Sequence, residues 1–164
     1  MSKMNKNGHP VIILVDDEEM VLNSIKSFFA IESDYKIKTY TSPVKALAEI
    51  DQHHGNIDLV ISDYLMPEMD GISFLAKVKE KLPMVPRILL TGYADKENAI
   101  KAINNVGLYQ YLEKPWNNED LKLVIRNGLE KTTLLHQLEE KIQEVERAQQ
   151  ELSQVQKDIL RVFA

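Results

Sequence analysis

The order of apolar and polar positions along the chain predicts five strands that alternate with helices. The runs 11–15, 57–62 and 87–90 are short, strongly apolar and nearly free of charge. Such runs are typical of strands that are buried on both faces of a parallel sheet. The segments 35–40 and 109–113 instead alternate apolar and polar residues, as half-exposed strands do. Apolar stripes at helical spacing follow each strand, so the pattern predicts an α/β fold built from five β-α units.

The burial expected for each strand also predicts the order of the strands in the sheet. The first, third and fourth strands are apolar almost throughout, which places them in the centre, and the second and fifth carry polar residues, which places them at the edges. The flavodoxin-like (βα)5 doubly wound parallel sheet, with strand order 2-1-3-4-5, satisfies this constraint. In that order ligands bind beyond the carboxyl ends of the first and third strands.

The last predicted helix continues well past the fifth β-α unit. From residue 118 to 163 the chain has no proline and only one glycine, and apolar residues recur three or four positions apart. We call this stripe the tail seam; it consists of Leu135, Leu138, Ile142, Val145, Ala148, Leu152, Val155, Ile159 and Val162. The spacing is that of a coiled coil with one phase slip, between Val145 and Ala148. It predicts a coiled-coil helix over 129–164 that pairs in parallel in a homodimer, with folding back onto its own domain as the alternative.

Composition narrows the possible functions. The net charge is -5 and no basic stripe is present, so we expect no direct nucleic-acid binding. The chain has no cysteine, which excludes disulfides and thiolate metal sites. Residues 1–9 form a polar leader without the apolar region of a signal peptide, and no apolar run is long enough to span a membrane. We therefore expect a cytoplasmic protein, and the apolar end at 160–164 indicates the front part of a longer protein or a truncation.

Three carboxylates follow the two most apolar runs. Asp16 and Asp17 come directly after the first predicted strand, and Asp63 ends the third. Because the ends of neighbouring parallel strands meet at one edge of the sheet, these side chains are expected to share one crevice. Close carboxylates repel one another unless a cation lies between them. The sequence therefore predicts a site for a hard divalent cation, Mg²⁺ above all.

These residues belong to a set of motifs in one order, and on that set the chain resembles the receiver domain of two-component response regulators over roughly residues 10–128. The set comprises Asp16-Asp17 after the first strand; Asp63, with Pro67 and Gly71 in the loop that follows it; Thr91 after the fourth strand; and Tyr111 and Lys114-Pro115 at the fifth. Each motif alone is weak evidence, and the series together is specific.

The resemblance implies a role for each residue. Asp63 would be the phosphorylation site, accepting a phosphoryl group from a histidine kinase or phosphotransfer protein. Asp16, Asp17, Asp63 and the backbone carbonyl of Leu65 would hold Mg²⁺. Lys114 and Thr91 would be catalytic residues that contact the phosphoryl group, and Thr91 and Tyr111 would switch the face formed by residues from about 95 to 128.

Two positions depart from the family pattern, and two alternative functions remain open. Leu65 stands where relatives often carry a polar side chain, and Tyr93 is a bulky aromatic; both positions are expected to affect the lifetime of the phosphorylated state. We do not expect the chain to be an enzyme, except that it would catalyse its own phosphorylation and dephosphorylation. The alternatives are a phosphorylation-independent scaffold and a phosphoaspartyl hydrolase, although such hydrolases usually carry an acid at the position of Leu65.

Overall fold

The computed structural model describes residues 8–53, 56–92 and 96–163. Strands and helices alternate strictly along the chain. The strands are β1 (Val11–Val15), β2 (Lys36–Tyr40), β3 (Leu59–Asp63), β4 (Arg87–Thr91) and β5 (Gln110–Glu113). The helices are α1 (Glu19–Glu32), α2 (Pro43–His53), α3 (Gly71–Lys81), α4 (Lys96–Val106) and α5 (Asn118–Val162).

The five strands form one parallel sheet in the order β2-β1-β3-β4-β5. The predicted flavodoxin-like fold and strand order are therefore confirmed. Every residue of β1, β3 and β4 is buried, whereas β2 has one buried residue and β5 has none. Burial of the apolar runs on both faces explains why these three strands occupy the centre of the sheet.

Alternate residues of the central strands enter two separate cores. On one face Ile13 and Val60 pack with residues of α2, α3 and α4, such as Phe74 of α3. On the other face Ile12 and Ile61 pack with residues of α1 and α5. The sheet is thus covered on both faces, and its carboxyl edge is fixed from both sides.

The element bounds differ from the sequence predictions at a few positions. β3 begins at Leu59, two residues later than predicted. Just before it, Asp58 Oδ2 accepts a hydrogen bond of 2.8 Å from Val11 N, at the start of β1. Ser42 caps α2, since its Oγ accepts a hydrogen bond of 3.3 Å from Lys45 N. Tyr93, which we expected to affect phosphate lifetime, lies outside the described residues, as do residues 1–7 of the predicted leader.

Arg87 is a buried cation at the end of the sheet opposite the carboxyl edge. Its side chain donates to carbonyl oxygens on two sides: Nη2 binds Gly107 O at 2.8 Å, and Nη1 binds Val85 O at 3.1 Å and two further carbonyls, those of Leu82 and Pro83, at 3.4 Å. Burial lowers its pKa. These bonds join the loop before β4 to the turn after α4.

The chain divides into two units, residues 1–129 and 130–164. The first holds the sheet and both cores. The second is helical from residue 130 to Val162, as the continuation of α5. In the described part of the chain no helix combines the length and the apolar character needed to cross a membrane.

Candidate functional site

Two acidic residues at the end of β1 and one at the end of β3 form the centre of the candidate site. β1 and β3 are paired in register, with Val15 opposite Ser62, so the residues that follow them are brought together. One carboxylate oxygen from each of Asp16, Asp17 and Asp63 lies within 4.8 Å of the others. The structure thus brings together the three carboxylates that the sequence predicted to share a crevice.

Asp16 is the most deeply buried of the three and has one unused oxygen. Its side chain is 0% exposed, and Oδ1 accepts a hydrogen bond of 2.8 Å from Glu18 N. Oδ2 is buried and has no hydrogen-bond partner among the described residues. Burial raises the pKa of Asp16 to about 6, and the Asp63 carboxylate contributes to the rise. A buried, unpartnered carboxylate oxygen is costly, so this atom fits a ligand that supplies positive charge.

Asp63 combines partial access with a neighbouring cation. It is 5% exposed, and Lys114 Nζ lies 3.3 Å from its Oδ1. Burial raises the pKa of Asp63, while the nearby ammonium of Lys114 acts in the opposite direction. The Lys114 ammonium lies 5.6 Å from the centre of the Trp116 ring, within the range of a cation–π interaction. Trp116 in turn packs against the core.

Thr91 at the end of β4, Tyr111 within β5 and Lys114 directly after β5 complete the set of predicted site residues. Thr91 is fully buried, and its Oγ1 donates to Leu112 O at 3.4 Å. Its own carbonyl accepts a hydrogen bond of 2.7 Å from Lys114 N, which fixes the start of the loop carrying that lysine. Tyr111 is half-buried and packs against the core on the side of α2, α3 and α4. The predicted switch residues therefore lie on adjacent strands.

The loop after β3 approaches the backbone of Asp63 so closely that one position has no room for a side chain. A Cβ at Gly71 would overlap the carbonyl oxygen of Asp63, and Gly71 N donates to Tyr64 O at 2.7 Å. Asp70 caps α3, accepting from Ser73 N at 2.8 Å. The same loop presents Leu65 with 63% of its surface exposed, so the position two after Asp63 carries an open apolar side chain.

The sequence motif contains Gly71 but does not show its steric role, and the sequence does not predict that Trp116 lies near the Lys114 ammonium. The signal for Gly71 was its position at the start of α3, directly after a capping aspartate. For Trp116 the sequence signal is its position two residues after Lys114. The pattern of apolar residues assigns no role to that position.

Comparison with known protein families places the chain among signalling domains. A family model described as the response regulator receiver domain matches residues 12–126. The chain is 32% identical over 119 residues to the regulatory protein AtoC of Escherichia coli, covering 73% of this chain and 25% of AtoC. It is 32% identical over 125 residues to a putative NtrX-like response regulator of Rickettsia bellii, covering 75% of this chain and 25% of that protein. The chain thus spans about a quarter of the length of these curated relatives.

Solved structures show the same similarity in three dimensions. A receiver domain protein from Clostridium thermocellum has a TM-score of 0.73 and 33% identity, with coverage of 77% of this chain and 98% of that one. The signal receiver domain of an HD domain-containing protein from Pseudomonas fluorescens has a TM-score of 0.70 and 35% identity, with coverage of 76% and 98%. Both similarities extend over the part of the chain that contains the carboxylate site.

Proposed function

Because the chain belongs to the response regulator receiver domain family, we propose that it takes part in phosphorelay signalling by accepting a phosphoryl group on Asp63. One observation carries the proposal: Asp63 lies at a strand end with Lys114 Nζ at 3.3 Å and two further carboxylates beside it. We assign this function to residues 10–128, with 1–9 as a leader and 129–164 as a separate helical segment. The expected donor is a histidine kinase or a phosphotransfer protein.

The chemistry is a transfer between two nucleophiles. An oxygen of the Asp63 carboxylate forms a bond to phosphorus, while the bond from phosphorus to the histidine nitrogen of the donor breaks and its electron pair stays on that nitrogen. Lys114 then binds a phosphoryl oxygen through its ammonium, which needs to move little because it already lies beside Asp63. The side chain of Trp116 limits the ammonium to this region.

A Mg²⁺ ion fits the carboxylates on chemical grounds. Asp16, Asp17 and Asp63 offer oxygen ligands within 4.8 Å of one another, and the buried Oδ2 of Asp16 has no other partner among the described residues. The backbone carbonyl of Leu65 is the proposed fourth protein ligand. When bound, the ion supplies positive charge that offsets the charge on the phosphoryl oxygens.

The response to phosphorylation is proposed to begin at Thr91. Its hydroxyl, which donates to Leu112 O at 3.4 Å, would turn to the phosphoryl group. Tyr111, half-buried on the neighbouring strand, would then move further inward. The face formed by α4, β5 and the first part of α5 would change its affinity for an output domain or partner.

Receiver domains are signalling domains rather than turnover enzymes, and we propose no substrate beyond the phosphoryl group that the chain gains and loses. The exposed apolar Leu65 supports this, since it offers no acid or base for hydrolysing an added phosphomonoester. With the unusual Tyr93, this position is proposed to set the phosphate lifetime. The proposed location is the cytoplasm, where histidine kinases present their phosphorylated domains.

The test is the intact mass of the chain after incubation with acetyl phosphate and Mg²⁺. Wild type should gain one phosphoryl group and Asp63→Asn none. Asp51→Asn is the matched control, since it removes a carboxylate that pairs with Lys81 away from the site. No gain in wild type would support the scaffold alternative. Equal gain in Asp63→Asn would show that another residue is the acceptor.

A further inference from the structure

We propose that the tail seam pairs with the tail seam of a second copy of this chain, in parallel and in register, to form a two-stranded coiled coil. The proposal goes beyond phosphoryl transfer and does not depend on it. It concerns residues 135–162 of α5, within the unit that follows residue 129.

The large side chains of the seam are exposed in the structure. Their exposed fractions run from 37% at Leu135 to 78% at Val162, and most of them are half exposed. Eight large apolar side chains on one stripe of a helix form a far longer apolar surface than isolated surface residues do. An α-helix with such a stripe gains most of its stability by covering it against another element.

The spacing of the seam specifies what can cover it. Neighbouring seam positions are 3, 4, 3, 3, 4, 3, 4 and 3 residues apart, the repeat that keeps one stripe facing a partner helix. A globular surface has no need of this repeat over so many turns. A second helix with the same repeat matches every layer, and another copy of this chain supplies one by symmetry.

The single irregular step also matches between two copies. At Val145 to Ala148 the seam advances by three residues where four would continue the heptads. Such a step overwinds a coiled coil locally. In a parallel pair the step falls at the same height on both helices. Ala148, the smallest seam residue, then faces Ala148 of the other copy and leaves room for the helices to approach there.

The residues beside the seam complement one another across a parallel pair, in which a g residue faces the e residue of the next heptad. Before the phase slip, Lys141 at g faces Glu146 of the second copy. After it, Glu151 at g faces Gln156 of the second copy. In the structure Lys141 Nζ is 3.2 Å from Glu144 within its own helix, a weak exposed pair that it can exchange.

The first test compares two identical substitutions on the same helix. Leu152 is a seam residue with 59% exposure, and Leu160 lies off the seam with 69% exposure. Light scattering should give wild type and Leu160→Glu about twice the chain mass of 18.8 kDa, and Leu152→Glu the mass of one chain. A wild-type monomer at high micromolar concentration, a trimer, or equal disruption by both substitutions would overturn the proposal.

The second test uses the absence of cysteine from the chain to determine the orientation. A single Leu138→Cys variant should form a disulfide-linked dimer on mild oxidation, because residue 138 faces itself in a parallel pair. Crosslinking of Leu138→Cys only when it is mixed with Ile159→Cys would indicate an antiparallel pair and overturn the proposed arrangement.

The test of the coiled coil and the test of phosphoryl transfer can succeed or fail independently of each other. Leu152→Glu should accept a phosphoryl group from acetyl phosphate to the same extent as wild type, because the substitution lies outside the unit that contains Asp63. A monomeric variant that is phosphorylated normally supports both proposals. A wild-type dimer that accepts no phosphoryl group would support the coiled coil and reject the proposed function.

Discussion

The two units of the chain each leave one kind of surface without a partner, and the two kinds are opposite. In the unit that holds the sheet, the apolar residues of the strands are covered in two cores, and a buried carboxylate oxygen of Asp16 has no partner among the described residues. In residues 130–162, polar side chains are solvated and the apolar tail seam is exposed. The sheet unit thus lacks a positive charge beside Asp16, and residues 130–162 lack a surface that would bury the tail seam. We call these the charge deficit and the area deficit.

The difference indicates what each unit binds. A buried oxygen without a partner is stabilised by a small cation or a proton, which can enter a site that larger groups cannot. An exposed apolar stripe is stabilised by another apolar surface of matching length. The binding partner of each unit can therefore be inferred from the group that the unit leaves unsatisfied.

The largest expected effect comes from a substitution that disturbs the sheet unit alone. Gly71→Ala would place a Cβ against the carbonyl oxygen of Asp63 and push the loop after β3 outward. We expect a loss of about 3 kcal/mol or more in the free energy of unfolding and poor phosphoryl acceptance. Urea unfolding followed by Trp116 fluorescence measures the loss, and the dimer mass should stay unchanged.

Gly8→Ala is the control for the Gly71 substitution. Gly8 has a positive φ of 78° but open space around its Cβ position. It should therefore cost about 1–2 kcal/mol, from backbone strain alone. Gly71 has no positive φ, so a loss at position 71 no larger than that at position 8 would contradict the overlap with Asp63 as its cause.

The charge deficit of Asp16 predicts a pH dependence. Burial raises the pKa of this group to about 6, above its unfolded value of about 3.9, so between these values the folded chain binds more protons. The free energy of unfolding should therefore fall as pH rises from about 4 to 6 in a chelating buffer. Asp16→Asn should flatten this slope and be more stable than wild type by about 1–3 kcal/mol near pH 8.

Addition of Mg²⁺ should make wild type more stable than Asp16→Asn near pH 8. Wild type gains stability when the ion binds its carboxylates, whereas Asp16→Asn has lost one ligand and gains less. Thermal unfolding with and without Mg²⁺ gives the comparison, with Asp51→Asn as an acidic-to-amide control away from the site. An Asp16→Asn variant less stable than wild type in chelator would contradict the assigned charge deficit.

The area deficit predicts a dependence on concentration instead of pH. If residues 130–162 are stabilised by pairing, a tenfold rise in chain concentration should increase their unfolding free energy by about 1.4 kcal/mol per dimer. The sheet unit should show no such change. Far-ultraviolet circular dichroism follows the helix and Trp116 fluorescence follows the sheet unit. Coincident curves that both shift with concentration would break the comparison.

The smallest effect concerns a strained residue in the loop after β3. Glu68 has a φ of 72°, in the left-handed region, and its Oε2 accepts a 3.2 Å bond from Ser42 Oγ. Glu68→Gly should relieve the strain and stabilise the chain by about 0.5 kcal/mol, after the loss of that exposed bond. Glu68→Ala keeps the strain and loses the bond, so denaturant midpoints should rank Gly above wild type and wild type above Ala.

The fold and the carboxylate cluster could be predicted because each depends on local pattern. A buried parallel strand needs an apolar run, and the runs ending at Asp16 and Asp63 showed where the strand ends would meet. The order of the strands could be predicted because strands that carry polar residues lie at the edges of a sheet. The roles of Thr91, Tyr111 and Lys114 remain predictions. In the structure Thr91 ends β4 and Lys114 follows β5, whereas Tyr111 lies within β5 opposite Leu89.

Other features depend on contacts that no local pattern encodes. Val44 is an apolar residue of α2 at helical spacing from Leu47 and Ile50, yet it is 51% exposed, and Ala46 and Ile50 make the buried contacts. The carbonyl of Leu112 as the partner of Thr91 follows from the pairing of β4 with β5, and the proximity of Trp116 to the Lys114 ammonium follows from the path of the loop after β5. Such contacts can be predicted only when the positions of both contacting chain segments are known.

Arg87 has a consequence for how relatives of this protein should be compared. Its guanidinium spans carbonyl oxygens on both sides of the start of β4, with Nη2 on Gly107 and Nη1 on the loop that contains Val85. Lysine carries the same charge on a single nitrogen and cannot reach both sides at once. Among relatives that retain this turn, an exchange of arginine for lysine is therefore not a conservative replacement at position 87, and sequence scoring schemes that treat it as one would underestimate its effect.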